Sequence, residues 1–377
     1  GALAGLSLAY EGLGDMENLA SVCERLIELK PDDPIPYERL GATLGQLGKM
    51  TEAQNAYRKA REIAPDRPGA WIGEARLLAE HKRDNEAAAL CRGFLEKQQD
   101  NVEAWLLLSD IHVSSEALDE ALAALAKAEA FQSDNPAVHA KKGLILVRMQ
   151  DWTQAAAAFQ QAAALQPGNV ETLAYLGETL RRGDRLEEAA AVFDKALAIA
   201  PSHAQCLNGA ILTAKSLHRW DRAETLCRTT LEHYPENIFA QSILVETLRQ
   251  QGKWRDAILL LQQTLEKNAD SRILFETAAQ LVAEHPELPE SKAIALFLTG
   301  KKPYDAVAWS LLGIVRRAEG NFGEALDLFH KALGFDPRCI EALAGIAGIL
   351  DERGDKPGAL AAYEKAASID PKHETAA

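Results

Sequence analysis

The sequence predicts an all-α solenoid of about eleven stacked helix pairs, and three observations carry that prediction. Prolines stand at Pro31, Pro65, Pro167, Pro201, Pro235, Pro303, Pro337 and Pro371, every interval a multiple of 34 residues. Twelve positions before each slot of that series lies Leu19, Ala53, Ala87, Ala121, Ala155, Ala189, Ala223, Ala257, Ser291, Ala325 or Ala359. Four positions later comes a filler: Cys23, Tyr57, Cys91, Leu125, Phe159, Phe193, Cys227, Leu261, Ala295, Phe329 or Tyr363. Columns that hold one register along the whole chain mark a repeat array. The small column has a physical reason, because two helices cross closely only where both present short side chains.

Each repeat reads as two helices. The opening stretch Gly1–Gly12 is almost wholly apolar and already helical in pattern, with Leu3, Leu6 and Tyr10. Later first helices carry a bulky residue at Tyr37, Trp71, Trp105, Phe275 or Trp309. A Leu-Gly pair follows at Leu40-Gly41, Leu176-Gly177 and Leu312-Gly313. The turn between helices holds Gly14, Gly48, Gly252, Gly320 and Gly354, where a left-handed C-cap is expected. The second helix opens on a bulky residue, among them Met16, Met50, Trp152, Trp220, Trp254 and Phe322. Its clearest example is Trp152–Gln166, with Ala155, Phe159 and Ala162 on one stripe and Pro167 closing it.

The predicted repeats are 1–33, 34–67, 68–101, 102–135, 136–169, 170–203, 204–237, 238–271, 272–305, 306–339 and 340–373, one continuous array over 1–377. The third has Glu74-Ala75 in place of Leu-Gly, and the fifth has His139 at the bulky position. The ninth departs most, with Pro286 and Pro289 at its turn and Ser291 in the alanine column. Because the register survives, we expect an altered packing angle there, with a hinge as the alternative; Pro289 suits the first turn of a helix. Neither end carries a polar capping helix, and His373-Glu374-Thr375 reads as the opening of a twelfth repeat. The expectation is a chain cut from a longer protein, with exposed apolar ends that suit self-association.

These columns resemble the tetratricopeptide repeat: 34 residues, helix-turn-helix, Trp, then Leu-Gly, Ala, Phe, Ala and Pro. The resemblance covers essentially the whole chain. It implies a right-handed superhelix whose first helices line a concave face that binds extended peptides or partner helices.

Bulk chemistry narrows the function. A formal net charge of -14 gives no basic field for nucleic acid or anionic lipid. No apolar run reaches 18 residues and no secretory leader is visible, so no membrane insertion is expected. The five cysteines are scattered and three fall in the filler column, which predicts buried thiols with neither disulfides nor a metal site. Unpaired cysteines lean towards the cytoplasm over the periplasm. No phosphate-binding loop, metal-binding His-Glu-x-x-His or nucleophile elbow occurs, and the nine histidines are dispersed, so the reading is non-catalytic and needs no cofactor.

The groove-facing positions carry the remaining information. The carboxylate clamp of chaperone-binding relatives uses Lys and Asn at first-helix positions that here hold Glu38, Ile72, Leu106, Ala140, Ala174, Asn208 and Ser242, without a lysine. An asparagine ladder is likewise missing. Late in the first helices of repeats five to eight come Arg148, Arg181, Arg182, Lys215 and Arg249 at equivalent positions, with Tyr175, Gln205 and Asn208 on the same surface. Stacked, they form a candidate site for an acidic peptide segment. Set against this, Glu178 precedes Arg181 and Arg182, and Glu246 precedes Arg249, at pairing distance on a helix. Arg316-Arg317 is a further basic pair.

The expected function is a non-catalytic protein-interaction scaffold that captures a partner peptide or helix along its concave face. Two other readings stand beside it: a substrate-recruiting arm of a larger glycosyltransferase- or sulfotransferase-type enzyme, and a periplasmic scaffold for polysaccharide export or envelope assembly.

Overall fold

The computed structural model describes residues 2–267 and 272–369. The Ala269 slot, Pro371 and the expected opening of a twelfth repeat lie outside them. The described residues form 22 helices and no strand. The chain divides into two compact units, Gly1–Ile199 and Ala200–Ala377.

The first unit holds six helix pairs. They are α1 (Ala2–Leu13) and α2 (Met16–Leu29), α3 (Pro34–Gln46) and α4 (Met50–Ile63), and α5 (Pro68–Glu80) and α6 (Asp84–Leu95). Then come α7 (Val102–Ser114) and α8 (Leu118–Phe131), α9 (Pro136–Arg148) and α10 (Trp152–Leu165), and α11 (Val170–Arg182) and α12 (Leu186–Ile199). The second unit holds five: α13 (Ala204–Ser216) and α14 (Trp220–His233), α15 (Ile238–Gln250) and α16 (Trp254–Lys267), and α17 (Arg272–Glu284) and α18 (Pro289–Lys301). It ends with α19 (Ala306–Ala318) and α20 (Phe322–Phe335), then α21 (Ile340–Glu352) and α22 (Lys356–Ile369). Within each unit a second helix packs on the first helix of its own repeat and on that of the next. This is the nearest-neighbour stacking of a solenoid.

Local chemistry sets the helix ends. Two residues past the proline column, Asp33, Asn101, Asn135, Asn169, Asn237 and Asp305 accept a hydrogen bond from the second or third amide of the helix they start. The turn inside each repeat but the ninth is a Schellman motif: Gly48 N–H donates to Gly45 O and Lys49 N–H to Leu44 O, and Gly252 and Lys253 repeat the pattern. The expected glycines have φ of 71–82°, but Lys82, Glu116, Gln150, Asp184 and His218 take the same left-handed position in repeats three to seven. There the two Schellman bonds outweigh the strain of a side chain at positive φ.

The small column is buried throughout, from 0 to 4% exposed. Fillers and the first-helix Leu-Gly position compensate in volume. A Cβ on Gly41, Gly143, Gly177 or Gly313 would sit 2.6–2.9 Å from the ring of Tyr57, Phe159, Phe193 or Phe329. Where the filler is Cys91, Leu125, Cys227 or Leu261, the first helix has Ala75, Ser109, Ile211 or Val245 instead. The three filler cysteines therefore belong to a size match, and all five cysteines are buried free thiols. Burial pushes the Cys91 and Cys227 thiols up to about 12.

The bulky first-helix column has a polar purpose as well. The indole N–H of Trp71, Trp105 and Trp309 donates to the carbonyl six residues earlier, of Pro65, Gln99 and Pro303, at 2.7–2.9 Å. His139 Nε2 reaches Ser133 O at 2.8 Å and Gln241 Nε2 reaches Pro235 O at 2.9 Å, so both residues substitute for Trp as donors.

Repeat nine breaks three of these rules at once. Pro286 occupies the left-handed position, which a proline ring cannot adopt, and it has no N–H for the Schellman bond. Ser291 Oγ instead donates to His285 O at 2.7 Å, which is why a serine stands in the alanine column. Ala279 and Ala295 leave both sides of the size match small. Among the described residues, α17 and α18 pack against each other less closely than any other pair within a repeat.

Candidate partner-binding surface

In each unit successive first helices meet one another, α3 with α5 and α5 with α7, and α17 with α19 and α19 with α21. Two open grooves follow these rows. The first-unit groove, about 640 Å³, runs over α3, α5 and α7. Its floor is backbone at Gly45, Gly69 and Gly73, where a Cβ would meet Leu77, Glu38 and Tyr57. Its charges are matched: Arg67 Nε donates to Glu38 at 2.8 Å and Arg76 to Glu103 at 3.5 Å.

The second-unit groove, about 1110 Å³, runs over α17, α19 and α21. Its floor is apolar, with Val307, Leu311, Ile314 and Ala344, and Tyr363 reaches it from α22. Phe275 forms one wall, with Lys302 Nζ 4.2 Å above its ring.

The sequence-singled residues divide between the units. In the first, Arg148 ends α9, donates to Val113 O at 3.3 Å, and lies 3.9 Å from Glu116. Tyr175 on α11 is partly exposed and stacks on Phe159, ring centroids 5.7 Å apart. Arg181 makes two hydrogen bonds to Glu178, at 2.9 and 2.8 Å. Arg182 makes one at 2.7 Å and lies 5.7 Å over the Trp152 ring. Burial opposes ionisation of Glu178, but the bonds from Arg181 and Arg182 prevail and hold its carboxyl below the usual range.

In the second unit, Lys215 on α13 bonds Glu246 on α15 at 2.7 Å, and Arg249 on α15 bonds Glu284 on α17 at 3.0 Å. Gln205 is exposed, and Asn208 is half-buried with its Oδ1 unpartnered among the described residues. The intrahelical pairing expected from sequence thus holds for Arg181 and Arg182. Arg249, by contrast, reaches across to the next repeat, while Glu246 serves Lys215. Arg317 on α19 repeats the crossing, bonded to Glu352 on α21. These cations clamp neighbouring first helices together as well as marking a surface.

The structure adds a site that the basic residues did not indicate. Of the repeat-nine departures, Ala279 alone is on its lining. Reading it required knowing that α17, α19 and α21 come together.

Three family models, each described as a tetratricopeptide repeat, match the chain. One covers residues 39–102 and 141–204, the second 85–145 and 316–377, and the third 2–37 and 242–273. No curated protein matches. Among solved structures, the chain is similar to YrrB, described as having an unusual peptide-binding site, at 22% identity over 50% of this chain and 96% of that one, TM-score 0.44. It is similar to PilF of Pseudomonas aeruginosa at 20% over 56% and 97%, TM-score 0.46, and to yeast Tom70 at 16% over 98% and 91%, TM-score 0.37.

Proposed function

The chain belongs to the tetratricopeptide repeat family, and from that premise we propose that it is a non-catalytic scaffold that captures a segment of a partner protein along its first helices. The second-unit groove carries this reading, because an open apolar floor of that size on a first-helix row is surface for a ligand side chain to cover. The basic residues supply the register. In the first unit Arg148, Arg181 and Arg182 flank Tyr175; in the second, Lys215 and Arg249 accompany Gln205 and Asn208. Their carboxylate partners do not disqualify them. Arg182 is the most open of them, with 52% of its side chain exposed, and an exposed ion pair contributes only about 0–1 kcal/mol, so a partner carboxylate competes there with Glu178.

The test is interaction proteomics with the intact chain and a variant carrying Arg181→Gln, Lys215→Gln and Arg249→Gln, with helicity checked by circular dichroism. We expect partners recovered by the intact chain to be depleted at least fivefold by the folded variant. Equal recovery would remove these residues from the binding surface.

A further inference from the structure

We infer that the outer face of α10 is a self-association site, on which a second copy of this chain packs antiparallel about a two-fold axis at Ala157. The contact uses second helices, so the first-helix rows stay open to a partner.

The face differs from the rest of the chain in charge. Among the described residues, α10 is the one helix without an acidic or basic side chain, yet Thr153, Gln154, Ala157, Gln160, Gln161 and Ala164 are exposed. A column near the end of the second helices marks the same place. It reads glutamate at Glu28, Glu62 and Glu96, alanine at Ala130, Ala164 and Ala198, then glutamate again at Glu232 and Glu266. The last residues of those three alanine-bearing helices, Phe131, Leu165 and Ile199, are large, apolar and 40–48% exposed. A chain of net charge -14 repels its own copies, so contact between them favours an uncharged face.

The sequence there is complementary to itself. In an antiparallel two-fold pair, residues equally far before and after the axis oppose each other, and each contact is made twice. On α10 this sets Thr153 against Gln161 and Gln154 against Gln160. Ala157 meets itself, and a side chain that small lets two helices approach closely. At the ends Leu165 meets Met149, both about two-fifths exposed. The flanking helices obey the same rule about Ala123 and Ala191: Asp119 opposes Lys127 on α8, and Glu187 opposes Lys195 on α12. All four are exposed, and none has a side-chain partner among the described residues. A lysine is long enough to reach past the central contact. The one like-charged meeting, Glu188 with Asp194, joins carboxylates that the chain already engages, Glu188 through Arg185 at 2.6 Å. Glutamate in place of Ala130 or Ala198 would oppose Glu116 or Asp184 of the copy, which gives the alanines a reason. Acid before base suits the dipole of any helix, and α2 has Glu17 before Arg25. Repeats four to six are set apart by the uncharged helix between two such pairs.

The experiment is sedimentation of the intact chain together with copper-phenanthroline cross-linking of introduced thiols, the native cysteines being buried. We expect a dimer at micromolar concentration. Ala157→Cys should cross-link to itself, and Thr153→Cys should cross-link to Gln161→Cys in a mixture but not to itself. Ala157→Glu, with helicity unchanged by circular dichroism, should give a monomer. Lys127→Glu with Lys195→Glu should weaken the dimer at least tenfold, as should Asp119→Lys with Glu187→Lys. Mixed together, those two double variants should pair with each other as tightly as the parent does with itself, because every opposed charge is again unlike. A monomer at every concentration would overturn the inference and leave the face to another kind of partner. A dimer indifferent to Ala157→Glu and to both charge reversals would overturn it in favour of another surface, such as the exposed apolar side of α1. Double variants that stay apart when mixed would overturn the two-fold register.

Discussion

At the scale of single residues, the third repeat shows how a broken consensus is repaired. Glu74 stands where six of the other ten repeats place leucine, and its side chain is only 8% exposed. Arg61 from α4 answers it at 2.6 Å, held in turn 4.7 Å over the Trp71 ring. Burial raises the Glu74 carboxyl above its ordinary value of 4.5, against the pull of Arg61. A native pKa raised above the unfolded one means that the folded chain holds the proton longer. Glu74 therefore adds stability below about pH 4.5 and loses it as pH rises through the folded pKa. Removing the cation alone exposes the full cost: Arg61→Met should destabilise by about 3 kcal/mol at pH 7, since a buried carboxylate is left unpaired. Adding Glu74→Leu should recover most of that loss. Urea unfolding of the two variants checks it, and a single variant as stable as the parent would mean that solvent, not Arg61, satisfies Glu74. The identity of this partner was hidden in the sequence, where Arg61 and Glu74 are 13 positions apart on different helices.

At the scale of elements, repeat nine couples its anomalies. Proline at position 286 forces the chain off the Schellman path, and the Ser291 hydroxyl ties the altered turn through the His285 carbonyl. Ser291→Ala should cost about 1–3 kcal/mol, because a buried acceptor loses its donor. In a Pro286→Gly background the same change should cost about 1 kcal/mol less, the signature of two residues sharing one device. A double-mutant cycle read by hydrogen exchange in α17 and α18 measures this, and strict additivity would show that serine and proline act separately. At the turn where Pro286, Pro289 and Ser291 led to the expectation of an altered packing angle, α17 and α18 pack less closely than the other pairs within a repeat among the described residues. What the sequence did not disclose is that five ordinary residues, Lys82 to His218, adopt the glycine conformation in repeats three to seven. Hydrogen bonds decide that turn, and glycine only lowers its strain.

At the scale of the molecule, the helix contacts within each unit join a repeat mainly to its neighbours among the described residues, so stability should be local. Phe94 is fully buried between α5, α6 and α7. Phe94→Ala should cost about 3–5 kcal/mol, lowering amide protection across those three helices while α19–α21 exchange as before. A uniform loss of protection would refute local coupling. The 34-residue register, the helix pairs, the buried columns and the thiols were determined by the sequence itself, because each depends on periodicity within one repeat and its copies. The tertiary structure alone decided which cations are clamped, which carboxylates answer them, and where the second-unit groove opens. Those contacts join residues about a repeat apart, and their distances are set by how closely one helix pair settles on the next. The side-chain volumes packed between the helices fix that spacing.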